Sequence, residues 1–191
     1  MKVGVLALQG GFRPHAEACA ALGAHVCEVR LPADLDRVDA LVIPGGESTT
    51  MVRLLDTAGL WAPLADRLAG GMAALGTCAG MILLATAVLD GRPGQPVLGA
   101  VDLTVRRNAH GRQRHSFEAP LAVEGLGGGA FPGVFIRAPA ICACGDDVEI
   151  TARLSDGQPV AARQGAVTVC AFHPELSGDL RLHHRFLSEV S

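Results

Sequence analysis

Three short stretches of this chain set reactive side chains in frames that suit nucleophilic chemistry. The first is Gly76-Thr77-Cys78-Ala79-Gly80. It reads as a cysteine version of a nucleophile elbow, in which the nucleophile sits on a sharp strand-to-helix turn and its neighbours must be small. A thiol at a helix N-terminus meets unpaired backbone N–H groups and the positive end of the helix dipole, which favours the nucleophilic thiolate. The competing reading is a buried structural cysteine beside two loop glycines. The second stretch is Phe172-His173-Pro174-Glu175. Residues two apart in an extended segment project to one side, and Pro174 biases His173 toward that conformation. His173 then accepts the thiol proton while Glu175 holds its imidazole in the productive tautomer. The plain alternative is a strand-end histidine followed by a solvated glutamate. The third stretch, Pro44-Gly45-Gly46-Glu47-Ser48, is a Gly-Gly turn before a helix. Such a turn aims backbone N–H groups at one point, which suits a developing oxyanion. It also reads as a tight loop with a serine cap. A phosphate site is the rival functional reading, without GxGxxG or a Walker-type lysine to support it.

The remaining histidines, His15, His25, His110, His115, His183 and His184, have no carboxylate at a comparably fixed offset. His183 and His184 read as surface residues of a C-terminal helix. Cys142-Ala143-Cys144 is spaced too closely for an ordinary zinc pair, so no metal site is expected. Arg106, Arg107, Arg112 and Arg114 form the densest positive cluster, either an anion site or a solvated loop.

The elements that must hold these stretches follow from periodicity. Apolar runs at Val3–Leu8, His25–Arg30, Ala40–Ile43 and Met72–Leu75 read as strands, and Pro14–Leu22, a segment from a Ser48 or Thr49 cap through Leu55, and Leu60–Leu68 read as helices. Met81–Ala85 continues from the elbow as a buried helix. The second half is richer in strands, at Gly99–Arg107, Val134–Arg137, Val148–Leu154, Val160–Arg163 and Val167–Phe172, before a closing helix over Leu180–Val190. Gln164-Gly165-Ala166 joins two of these strands in hairpin fashion. Repeated βαβ units predict a mostly parallel central sheet with helices on both faces, a three-layer α/β sandwich. No linker or repeat interrupts the chain, so one domain over residues 1–191 is expected. Gly45, Gly46, Cys78 and His173 all fall at carboxyl ends of strands, where such sheets bind ligands.

Composition narrows the function classes. The chain has 191 residues, 49% hydrophobic and 18% charged, which fits a folded globular protein. A formal charge of -3 and the lack of a basic stripe argue against nucleic-acid binding. The apolar run after Lys2 stops at Gln9, so neither an export signal nor a membrane span is expected. The six cysteines then read as reduced cytoplasmic thiols.

The order Gly-Gly turn, cysteine elbow, His-x-Glu resembles class I glutamine amidotransferases, a flavodoxin-like family. Further segments narrow the likeness: Leu8-Gln9-Gly10-Gly11 followed by His15, Arg107-Asn108 with Gly111-Arg112-Gln113, Ser116-Phe117-Glu118, Phe135-Ile136-Arg137-Ala138-Pro139 and Phe172-His173-Pro174-Glu175-Leu176. Together they are similar to the glutaminase subunits of pyridoxal 5'-phosphate synthase. The resemblance implies Cys78 as nucleophile, His173 as general base and then acid, and Glu175 as the orienting carboxylate. It implies a glutamine site lined by Gly45, Gly46, Glu47, Arg107, Ile136 and Arg137, with backbone N–H groups of Gly46 and Ala79 holding the oxyanion. Which arginine meets the substrate carboxylate stays open. The implied partners are L-glutamine and a synthase subunit in a large ring-shaped complex, with no cofactor on this chain. The glutaminase of another complex, such as imidazole glycerol phosphate synthase, and a catalytically idle subunit of the same fold are the alternatives. Gly11-Phe12-Arg13-Pro14, His110 and His115 depart from the family pattern, away from the three reactive residues.

Overall fold

The computed structural model describes residues 1–92, 94–107 and 116–190. Arg112, Arg114, His110, His115 and the Asn108 and Gly111-Arg112-Gln113 segments lie outside the described residues. Its centre is a seven-stranded sheet. The strands are β1 (Lys2–Leu6), β2 (His25–Val29), β3 (Ala40–Ile43), β4 (Ala73–Thr77), β10 (Glu149–Arg153), β11 (Pro159–Gln164) and β12 (Val167–Cys170). Their spatial order is β10-β11-β12-β4-β3-β1-β2. The run from β12 to β2 is parallel, and β10 and β11 add an antiparallel edge. β3 and β4 lie between parallel neighbours, and this explains their nearly unbroken apolar sequences, since every residue of the two strands except the half-buried Ala73 is buried. Every side chain of β3 is buried.

Among the described residues six helices accompany the sheet: α1 (Phe12–Ala21), α2 (Pro32–Leu35), α3 (Ser48–Thr57), α4 (Trp61–Ala69), α5 (Ala79–Leu84) and α6 (Arg181–Glu189). α1 packs on β1 and β2 and against α6, whereas α5 packs on β4, β3 and β12 and against α3. One apolar core runs through the molecule, built from Val, Leu, Ile and Ala with Phe131, Phe135 and Phe172 as its largest buried side chains. No helix among the described residues is long and apolar enough to cross a membrane.

Two smaller sheets carry the rest of the second half. One has the order β5 (Ala85–Val88), β6 (Val101–Arg106), β9 (Ala140–Cys144), and the other is the ribbon of β7 (Ser116–Leu121) with β8 (Phe131–Ile136). Periodicity did not point to β5, β7 or β9. β7 contains Pro120, paired opposite Pro132 of β8, and proline is tolerated on a two-stranded ribbon because each strand has an open edge. Cys142 and Cys144 are exposed on β9.

Boundaries differ from the sequence expectation where pairing rather than composition decides them. β4 extends through Gly76 and Thr77, because these two pair with Ile43 of β3 and with Val169 and Cys170 of β12. β12 stops at Cys170, two residues early. α3 is capped by Glu47, not by Ser48 or Thr49: its carboxylate accepts from the backbone N–H groups of Thr49 (3.1 Å) and Thr50 (2.7 Å). A two-oxygen acceptor satisfies two of the orphan amides of that helix start at once.

Candidate active site

Four loops leave the carboxyl ends of four consecutive parallel strands, β12, β4, β3 and β1, and meet at one cleft of about 360 Å³. From these loops His173, Cys78, Gly45 with Gly46 and Glu47, and Gln9 all face the cleft. The smaller sheets complete it from the other side, with Arg107 just after β6 and Ile136 and Arg137 at the end of β8. A hydrogen bond from the His173 N–H to the Val134 carbonyl (2.8 Å) ties β8 to the main sheet at this point.

Cys78 sits between the end of β4 and the start of α5, with φ 49° and ψ −102°. This left-handed conformation is costly for a residue with a Cβ and is held here by its surroundings. The Cys78 N–H donates to the Cys170 carbonyl (2.8 Å), and the Cys78 carbonyl accepts from Ile82 in the first turn of α5 (3.3 Å). The small neighbours are required. A Cβ on Gly76 would lie 2.5 Å from Leu84, and one on Gly80 would overlap the Ile43 carbonyl oxygen. Ala79 opens α5 and is buried. Among the described residues only Cys78 and Arg137 are non-glycine residues with positive φ, and both line the cleft.

His173 stands beside Cys78 at the cleft, near enough for the thiolate to favour a charged imidazole. On the far side its Nδ1 lies 2.7 Å from Oε1 of Glu175. The pair does not lie on the extended segment expected from the sequence: Pro174 begins a 3-10 turn, and that turn brings Glu175 back under the imidazole, with its side chain only 2% exposed. Burial works against a charged imidazolium, but the hydrogen bonds to Cys78 and Glu175 and the negative charge of both outweigh it, lifting the His173 pKa to about 10. Burial likewise opposes ionisation of Glu175, yet His15 and His173 hold its pKa down to about 2. Cys170, fully buried nearby, is pushed the other way, because burial and then the charges of Glu175 and Cys78 disfavour its thiolate. Of two cysteines close to the same charges, only Cys78 is set against an imidazole at the cleft.

The Gly-Gly turn is clamped from β1. The Gly11 N–H donates to the Gly45 carbonyl (3.0 Å), and the Glu47 N–H donates to Oε1 of Gln9 (3.0 Å). In a trans peptide the N–H points opposite to the carbonyl, so the Gly46 N–H faces away from Gly11. A Cβ on Gly45 would lie 2.5 Å from the His173 ring, and one on Gly46 equally close to Gln9, so both glycines are dictated by approach. Glu47 is half-exposed, and its Thr49 and Thr50 hydrogen bonds overcome partial burial to lower its pKa to about 2. Arg107 is already engaged, with Nη2 2.9 Å from Glu47 and Nη1 3.2 Å from the Thr49 hydroxyl. The Arg137 side chain is exposed, with no ion pair among the described residues.

The chain as a whole is similar to known proteins. Residues 5–191 match the model of the SNO glutamine amidotransferase family. The chain belongs to that family. Among its relatives is the pyridoxal 5'-phosphate synthase subunit PdxT of Acidothermus cellulolyticus, 55% identical over 100% of this chain and 94% of the relative. The PdxT of Parafrankia sp. is 53% identical over 99% and 93%, and that of Roseiflexus castenholzii is 54% identical over 98% and 99%. A solved glutamine amidotransferase superposes with a TM-score of 0.92 at 50% identity, covering 98% of both chains. The solved PurLQS of Thermotoga maritima shares the fold at 16% identity and a TM-score of 0.67, over 99% of this chain and 96% of that one. The mostly parallel, flavodoxin-like α/β architecture expected from the sequence is that of the family.

The structure brings every candidate site residue except Ala79 and Glu175 to the cleft wall. Ala79 lies directly behind Cys78 in sequence, and Glu175 is screened from the cleft by His173. Sequence reading gave four further residues no part in the site. Gln9 clamps the Gly-Gly turn. Ser48 is buried at the cleft wall with an unpartnered hydroxyl. His15 and His183 are both fully buried beneath Glu175, so the surface assignment of His183 is wrong, although His184 is exposed. α6 turns its His183 face inward with Leu182, Phe186 and Leu187, a 3-4 spacing that was available in the sequence as a signal.

Proposed function

We propose that this chain is a glutaminase that releases ammonia from L-glutamine through Cys78, His173 and Glu175, and hands it to the synthase subunit of a pyridoxal 5'-phosphate synthase in a ring-shaped cytoplasmic assembly. The observation that carries this reading is the alignment of a strained cysteine elbow and an imidazole at one wall of a cleft with a buried carboxylate behind the imidazole, in a chain of the glutamine amidotransferase family. The whole of residues 1–191 acts as one glutaminase domain.

The Cys78 thiolate attacks the side-chain amide carbon of glutamine, opening the C=O to an oxyanion. Backbone N–H groups of Gly46 and Ala79 receive that charge, and losing one such donor typically costs about 10²–10³ in rate. His173, carrying the proton that the thiol released, gives it to the departing nitrogen as the C–N bond breaks. Ammonia leaves and a γ-glutamyl thioester remains. His173 then takes a proton from water, the hydroxide attacks the thioester, and glutamate departs as Cys78 is regenerated. Glu175 keeps Nδ1 of His173 protonated so that the other ring nitrogen faces the thiol.

The cleft also offers complementary charge to the amino-acid end of glutamine. The Glu47 carboxylate suits the α-ammonium group. Arg137, unlike Arg107, has no ion-pair partner among the described residues to release before pairing with the α-carboxylate. Gly45 and Ile136 shape the space between these charged ends.

Glutamate release from glutamine, measured on the chain alone and in the presence of the synthase, tests the proposal. Turnover that rises strongly on adding the synthase is the expected result. A folded protein with no turnover in either case overturns the glutaminase reading, and turnover indifferent to the synthase overturns the choice of partner.

A further inference from the structure

Behind the cleft, Glu175 is held from a second side by a pair of buried histidines that the amidotransferase chemistry above does not use. Oε1 of Glu175 serves His173. Oε2 lies 3.2 Å from Nε2 of His15, in an ion-pair contact off the line of a good hydrogen bond. The same His15 nitrogen is 3.2 Å from the hydroxyl of Thr77, the residue before the nucleophile. His15 Nδ1 is in turn 2.8 Å from Nε2 of His183. All three elements meet here: α1 supplies His15, β4 supplies Thr77 and α6 supplies His183. His15 and His183 are both 0% exposed.

The hydrogen-bond network assigns the tautomers. A carboxylate only accepts, so the His15 nitrogen facing it, Nε2, carries the hydrogen. His15 Nδ1 is then an acceptor and must be supplied by Nε2–H of His183. That leaves His183 Nδ1 as the bare ring nitrogen of the pair, and it is the ring nitrogen without a partner. A bare buried acceptor is more readily tolerated than an orphaned N–H, so the N–H groups point in one direction, from His183 to His15 and from His15 toward the Thr77 hydroxyl and the Glu175 carboxylate. The buried Cys170 thiol, the other titratable group against this cluster, turns away to donate to the Phe172 carbonyl (3.4 Å). Burial, only partly opposed by the charge of Glu175, keeps the His183 pKa down to about 4, so it serves as a neutral donor.

We propose that His15, locked in its tautomer by His183, is a positioning residue that fixes the orientation and charge of Glu175 and links that carboxylate to the elbow strand through Thr77. The proposal rests on the glutaminase reading for its kinetic consequence, but its effect on Cys78 is read without glutamine. Two amide variants separate the two nitrogens of the ring. In His15→Gln the amide N–H falls near the position of Nε2 and still reaches Glu175. In His15→Asn the shorter amide falls near Nδ1 and reaches only His183.

The primary readout is the pH dependence of Cys78 alkylation by iodoacetamide on the folded full chain, resolved by mass spectrometry from the exposed cysteines. Losing the second donor raises the proton affinity of Glu175, weakens the anion behind His173 and so disfavours the Cys78 thiolate. His15→Asn therefore moves the acid limb to higher pH by about one unit, while His15→Gln stays close to wild type. With the synthase present, His15→Asn lowers kcat for glutamine by about tenfold, the worth of a polar contact with a buried charge, and leaves KM nearly unchanged because His15 lies outside the cleft. An unmoved acid limb in His15→Asn overturns the proposal. Equal losses in both variants without a pH shift, as a packing role predicts, overturn it as well. If wild type turns over no glutamine yet the limb still moves, the positioning role stands and the glutaminase reading falls.

Discussion

His173 and His183 flank the same carboxylate and are driven in opposite directions, the first to a pKa of about 10 and the second to about 4. Burial pushes both down. The difference is what lies within reach. His173 has a thiol on one side and Glu175 at 2.7 Å on the other, two negative partners that favour its charged form. His183 has only another histidine at 2.8 Å, with Glu175 one ring further away. A buried imidazole therefore becomes a proton carrier or a neutral strut according to its nearest neighbour. The same molecule uses it both ways, on the two sides of Glu175.

Removing the thiol from the cleft side breaks this comparison most severely. Cys78→Ala is expected to abolish glutamate release, with loss of at least about 10³-fold, because the covalent step has no substitute nucleophile. It also removes one of the two partners that raise His173, so the imidazole titrates at a lower pH, observable by NMR on the folded variant. Retained glutamate release would remove Cys78 from the chemistry. An unchanged His173 titration would show that Glu175 alone sets the charge on the cleft side.

The cleft side was the legible one. Cys78 is framed by glycines that the structure requires, and Pro174 fixes the spacing of His173 and Glu175, so local sequence carries the arrangement. Strand β3 was likewise found to the residue, because both its faces are buried and its apolar run ends at Pro44-Gly45. The strut side was not legible. His15 and His183 are 168 residues apart and meet only because α1 packs against α6. A histidine on an amphipathic helix reads as surface unless its partner is known. The cap on α3 escaped for a related reason: serine and threonine are the commoner capping residues, but Glu47 is tethered by Gln9 from a distant loop, and that bond has no local sequence mark. β5, β7 and β9 were missed because they belong to small sheets whose strands are only half-buried, so composition alone does not separate them from loops.

At the cleft mouth a second, weaker contrast sets Arg107 against Arg137. The first is paired with Glu47 at 2.9 Å and the second is unpaired among the described residues. Arg137→Ala is expected to raise KM for glutamine about tenfold with kcat less affected, as lost ground-state binding predicts. Arg107→Ala should raise it less, since Glu47 keeps its two threonine amides as partners. The reverse order of KM values would transfer the carboxylate contact to Arg107.

The smallest effect is on stability, and it isolates the strut side. In the unfolded chain His183 titrates near 6.5, and in the folded chain near 4. Below pH 6.5 the unfolded state therefore takes up a proton that the folded state refuses. The stability tied to a neutral His183 is complete above pH 6.5 and is lost progressively as pH falls to about 4, to a total on the order of 3 kcal/mol. Glu175 has the depressed carboxylate pattern, so its share is lost only in a lower window, from about pH 4.5 toward 2. Replacing His183 with glutamine keeps a neutral donor toward His15 but removes the titration. Unfolding free energies of wild type and His183→Gln should therefore converge between pH 6.5 and 4, the wild type falling faster. Parallel curves across that window would mean that His183 accepts its proton without cost when folded, and the contrast between the two sides of Glu175 would fail on its buried side.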